Sequence, residues 1–156
     1  MTRIRCIPIP TETATRWRET GRDDAGNALG RSISTGSGAP CRHCLRNGAE
    51  GEEMLLGSYN LAGPVGIYWT PSPIFLHATP CAHYGGADEI VQIVRTSLVS
   101  VRAYDRGQMC LYDLGAVAQG DEADAPLARA MADARTSFVN IHTAKPGCLL
   151  CRVERA

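Results

Sequence analysis

The chain has 156 residues, 44% of them hydrophobic and 21% charged, which is long enough for one domain with its own core and too apolar for a disordered chain. Sixteen basic residues balance sixteen acidic ones, so no net field draws the protein to nucleic acid or to an anionic membrane. No apolar run reaches the roughly 18 residues of a membrane helix. The charged start Met1-Thr2-Arg3-Ile4-Arg5-Cys6 is not followed by the apolar run of a signal peptide. The expectation is a single globular domain over residues 1–156, in the cytoplasm, with neither nucleic acid nor membrane as partner. Seven cysteines in a reducing compartment read as thiols or metal ligands, and their odd number does not suit a disulfide framework.

In chain order, Ile4 to Ile7 reads as a short strand that stops at Pro8 and Pro10, because proline cannot donate to a ladder. Thr11 to Asp24 is charged around a single Trp17, and Ala25 to Ala39, with four glycines, reads as irregular loop. Met54 to Tyr59 reads as a buried strand. Prolines 71 and 73 punctuate a loop, and Ile74-Phe75-Leu76-His77 follows as a second apolar strand, expected in the central sheet. From Ala87 the period changes: Ile90, Val91, Ile93 and Val94 share one side of a helix with Asp88 and Glu89 in its first turn. Leu98 to Tyr104 alternates as a strand, and Met109 to Tyr112 returns as the second arm of a hairpin. Asp121 to Asp124 and Pro126 start a helix whose apolar face is Leu127, Ala130, Met131 and Ala134. Ser137 to Ile141 and Cys148 to Val153 close the chain as two strands. About seven strands and two short helices predict an α+β fold with an antiparallel or mixed sheet.

The chemistry concentrates in thiols and imidazoles. Zinc needs soft donors converging tetrahedrally, commonly with one pair from a tight C-x-x-C turn. Cys41 and Cys44 have that spacing, and His77 and Cys81, after 32 intervening residues, could complete a Cys-Cys-His-Cys set with zinc as its cofactor. Cys148 and Cys151 form a competing pair, separated from Cys44 by 103 residues, far outside finger or ribbon spacing. The same Cys41 and Cys44 could instead form a thiol redox pair, but Gly48 and Gly51 cut short the helix that such a pair needs. A third reading is an interaction protein with no catalytic role, in which the cysteines are small buried hydrophobes. Cys6, Cys110 and Cys151, each in an apolar strand-like run, fit that reading best, and Cys41 fits it worst. Arg102-Ala103-Tyr104-Asp105 reads as a strand-end ion pair and His142 as a half-buried strand histidine. No G-x-G-x-x-G, G-x-x-x-x-G-K or G-x-S-x-G occurs, so no nucleotide or hydrolase motif is present and no reaction is assigned.

Taken in order, Pro40-Cys41-Arg42-His43-Cys44-Leu45, Gly51 to Tyr59, Pro73 to Ala78, Cys81, Arg102 to Asp105 and Gly147-Cys148 resemble a family of short bacterial proteins, domain-of-unknown-function family 1203. The resemblance runs from about Ile4 to Arg155 and implies a bacterial single-domain protein with no assigned activity. The family pattern holds Cys41, Cys44, His77, Cys81 and Cys148, which favours the first four as a unit. Gly63 to Thr70 departs from it, having Gly-Pro-Val-Gly-Ile-Tyr-Trp-Thr where the family has a Pro-Tyr-Ala-Glu-like run.

Overall fold

The computed structural model describes residues 2–156. Among them are eight strands in two antiparallel sheets and three α-helices, so the α+β expectation holds with one more strand and one more helix than the sequence suggested. The first sheet has five strands in the order β1 (Ile4–Ile7), β8 (Leu149–Arg155), β7 (Phe138–Thr143), β5 (Leu98–Tyr104), β6 (Ala116–Gln119). The second has three, in the order β2 (Gly30–Ile33), β3 (Glu53–Asn60), β4 (Pro71–His77).

Alternation along β5 and β7 turns Val99, Val101, Ala103, Val139 and Ile141 to one face. There they meet Ile93 and Val94 of α2 (Gln92–Arg95) and Leu127, Ala130 and Met131 of α3 (Asp124–Ala132). Each large side chain so buried contributes about 1.5–3 kcal/mol. Gly120, just ahead of α3, is required by contact: a Cβ there would lie 1.7 Å from the carbonyl oxygen of Val94. The second core gathers Trp17, Met54, Leu55, Tyr59, Ile74 and Leu76 around the small sheet, and includes Cys41 and Cys44.

Several elements differ from their sequence reading. The charged stretch after Pro10 is a helix, α1 (Thr11–Thr20), closed by Gly21 in the left-handed conformation at φ 66°. It buries only Thr13, Ala14 and Trp17, too few to set up a helical period in the sequence. The irregular loop contains β2, all four residues of which are exposed, so burial left no pattern to read. Prolines 71 and 73 lie inside β4, which tolerates them because it is an edge strand. For the same reason Ile74 and Leu76 are buried in the small sheet and not in a central one, while Phe75, on the opposite face, is only half-buried. The helix expected from Ala87 begins at Gln92. Asp88 is outside it at φ 60°, its carboxylate accepting from Ile4 N–H and pairing with Arg3. The hairpin arm expected at Met109 is one bridge, Tyr104 to Cys110, and the strand that returns is β6. Ala134 lies beyond the end of α3 and is exposed.

Candidate metal centre

Residues 39–48 double back on themselves, with Gly48 N–H donating to Ala39 O at 2.9 Å and Cys41 N–H to Arg46 O at 2.9 Å. Leu45 N–H donates to Cys41 O at 3.0 Å, and Leu45 takes φ 59°, a left-handed geometry uncommon for a leucine. The strained corner turns the Cys41 and Cys44 side chains to one side. Arg42 N–H donates to Phe75 O at 3.0 Å and a parallel bridge joins Cys41 to Phe75, so the turn is docked on β4. His77 is the last residue of that strand, and Cys81 follows four residues later in a segment without regular structure.

The donor atoms of Cys41, Cys44, His77 and Cys81 all lie within 4.8 Å of one another, a set that could hold a metal ion. Cys41 Sγ is 3.8 Å from Cys81 Sγ and Cys44 Sγ is 3.5 Å from His77 Nδ1. Those separations can be tested against an ion. Metal–sulfur bonds of about 2.3 Å and metal–nitrogen bonds of about 2.0–2.1 Å at tetrahedral angles place two sulfurs about 3.8 Å apart and a sulfur and a nitrogen about 3.5 Å apart. The residues fit. All seven cysteines are unpaired, and a disulfide needs sulfurs about 2.05 Å apart.

The surroundings fit as well. His77 Nε2 lies 2.9 Å from the Glu52 carboxylate, so Nε2–H donates there and the Nδ1 lone pair faces the sulfurs. Hydrogen bonding from Ala49 N–H, and then from His77, holds the Glu52 carboxyl below its usual range. Each buried sulfur needs compensation for its charge. His77 N–H donates to Cys41 Sγ at 3.5 Å, and Arg18 Nη2 donates to Cys81 Sγ at 3.5 Å while its Nε donates to His77 O at 3.0 Å. His43 Nδ1 is 3.2 Å from Cys81 Sγ, and its Nε2 meets Thr11 Oγ1 at 2.9 Å. Burial pulls the His43 imidazole down, favouring a neutral ring with one proton to give. Hydrogen bonds from the Cys44 and Cys81 thiols hold Cys41 far below the ordinary thiol range, and the same contacts push Cys44 and Cys81 up.

The structure thus brings together the four donors singled out from the sequence and leaves the other thiols apart. Cys151 is in the large core beside Cys6, and Cys148 is half-buried at the β7–β8 turn. Cys110, expected in a strand interior, is only half-buried. His142 is 3% exposed, more deeply buried than its sequence reading. Sequence reasoning missed Arg18 and Glu52, which reach Cys81 and His77, and Thr11, which reaches His43; all three stand in charged or polar stretches with no local sign of these partners. A family model described as Protein of unknown function (DUF1203) matches residues 38–155, all four donors included. The chain belongs to the DUF1203 family. No curated protein and no solved structure matches it. In this DUF1203 chain the helix α1, which supplies Thr11 and Arg18, precedes the matched residues. Among the described residues no helix is long and apolar enough to cross a membrane.

Proposed function

We propose that this DUF1203 chain is a bacterial, cytoplasmic protein folding as one domain over residues 1–156 and built around a closed structural zinc site. Cys41, Cys44, His77 and Cys81 are its ligands. The observation that supports this most is the pair of separations, 3.8 Å between Cys41 and Cys81 sulfurs and 3.5 Å between Cys44 Sγ and His77 Nδ1, matching the edges of a zinc tetrahedron. Four protein donors leave no position open for water or substrate, which is the arrangement of structural sites and not of catalytic ones. The Glu52–His77 hydrogen bond supports the same reading, since it fixes the tautomer a ligating Nδ1 requires. Seven unpaired thiols suit a reducing compartment.

In this reading the ion joins three pieces of chain: the 39–48 turn, which is bridged to β4 at Phe75, the end of β4, and the segment around Cys81. The protein then acts as a metal-stabilised scaffold. The redox alternative for Cys41 and Cys44 lacks its usual support, because a turn and not a helix follows Cys44. Elemental analysis of protein purified without an affinity metal is the test. One zinc per chain is expected, bound through sulfur by X-ray absorption. A metal-free protein with the native fold would overturn the proposal.

A further inference from the structure

The four donors are unequal in ways that a closed tetrahedron conceals. Cys41 is fully buried and Cys44 is 9% exposed, whereas Cys81 is half-buried. Cys41 and Cys44 are fixed by the hydrogen-bonded turn, and His77 by the β4 ladder. Cys81 stands in the segment from 78 to 91, which has no helix or strand. Its sulfur takes hydrogen bonds from two side chains, the Arg18 guanidinium at 3.5 Å and the His43 ring at 3.2 Å. A second sulfur, Cys41 Sγ, lies 3.8 Å away. Cys110 and Cys148 are also half-buried, but among the described residues neither has a sulfur in hydrogen-bonding contact.

We infer that Cys81 is an oxidative modification site, oxidised by hydrogen peroxide and resolved by Cys41 into a Cys41–Cys81 disulfide. The Cys81 thiolate attacks one peroxide oxygen, the O–O bond breaks, and Cys81 becomes a sulfenic acid as hydroxide departs. The Cys41 thiolate then attacks the sulfenic sulfur, forming the S–S bond and expelling a second hydroxide. The two sulfurs lose two electrons, and two solvent protons convert the hydroxides to water. Sequence alone favours the other product, a bridge between Cys41 and Cys44 across their C-x-x-C spacing. The disulfide leaves Cys44 and His77 as the remaining donors, too few for a tetrahedral site. On the zinc reading, therefore, the ion is released, and only that last step depends on the reading.

The sequence makes the products separable. Arg42 and Arg46 flank His43-Cys44-Leu45, so trypsin places Cys41, Cys44 and Cys81 on three different peptides. The experiment treats the full chain with hydrogen peroxide, follows zinc release with a colorimetric chelator, and maps disulfides under non-reducing conditions. A Cys41–Cys81 peptide pair is expected, appearing in step with one zinc released per chain and removed by dithiothreitol. Cys110→Ser and Cys148→Ser should leave release and bridge unchanged. A Cys41–Cys44 bridge, a bridge to Cys110 or Cys148, or zinc release with Cys81 unmodified would overturn the inference. Protein that carries no zinc yet forms the Cys41–Cys81 bridge would sustain it while removing the metal reading.

Discussion

His77→Ala separates a structural metal centre from a thiol enzyme, because the two respond in opposite ways. Metal binding contributes to stability in proportion to the logarithm of one plus the ratio of free metal to Kd. At a free zinc concentration a thousand times Kd the contribution is about 4.1 kcal/mol. For a domain of this size 1 kcal/mol shifts Tm by about 2–4 °C, so chelation should lower the wild-type Tm by about 8–16 °C. The His77 side chain is 12% exposed, and apart from the ligand atom it contributes one hydrogen bond to an exposed Glu52 carboxylate. Truncation to alanine should then cost roughly 1 kcal/mol beyond the metal term. In excess chelator, variant and wild type should melt within about 2–4 °C of each other. Without chelator they should differ by most of the wild-type chelation shift, and the variant should retain well under one zinc per chain. Scanning calorimetry with and without chelator, on samples of known zinc content, makes the comparison. A variant with full zinc and an unchanged chelation shift would refute the assignment of His77 as a ligand. A stable, metal-free variant whose thiols react more slowly at neutral pH would show instead that the imidazole activates a thiol.

Ile74→Ala should cost 2–5 kcal/mol, roughly the range for a buried aliphatic truncation, since Ile74 is fully buried in the small core. Phe75→Ala should cost less than Ile74→Ala despite removing more atoms, because its face of β4 is half-buried, and urea denaturation ranks the two. His142 supplies a pH prediction: burial pulls its imidazole down to about 4 from 6.5. A depressed histidine contributes stability that is present above about pH 6.5 and lost as the pH falls toward 4, on the order of 3 kcal/mol over that window. The difference in unfolding free energy between wild type and His142→Leu should follow that curve, and a pH-independent difference would mean that His142 does not titrate across folding.

The parts of the fold legible in the sequence are those where burial imposed a period. β3, β5, β7, β8 and the face of α3 all alternate or repeat against a core, and each was found close to its observed limits. What was lost has a common physical cause. α1 is held by one large side chain, Trp17, and β2 by ladder bonds alone with every residue exposed, so neither wrote a hydrophobic pattern. The candidate site divides the same way. The C-x-x-C spacing and the chemistry of thiols and imidazole made Cys41, Cys44, His77 and Cys81 legible as a set. Glu52 and Arg18 reach the donors, and Thr11 reaches His43 beside them, only through tertiary folding across 25, 63 and 32 residues, and such distances leave no trace in local sequence.

The placement of those outer residues explains how a buried set of thiols is tolerated. Three thiolates around a divalent ion leave one negative charge in excess, and an uncompensated charge in a core is costly. Glu52 adds negative charge on the His77 side, where the side chain is exposed and water screens it. Arg18 brings a positive charge against Cys81 and the His77 carbonyl. His43, neutral and held by Thr11, adds a hydrogen-bond donor without adding charge. The residues matched by the family model contain the donors, His43 and Glu52, whereas Arg18 and Thr11 come from α1, ahead of the match. Docking α1 through Trp17 against the small sheet is therefore more than core packing. It brings the compensating guanidinium to the most exposed of the three sulfurs, the one whose ligand segment has no secondary structure to hold it.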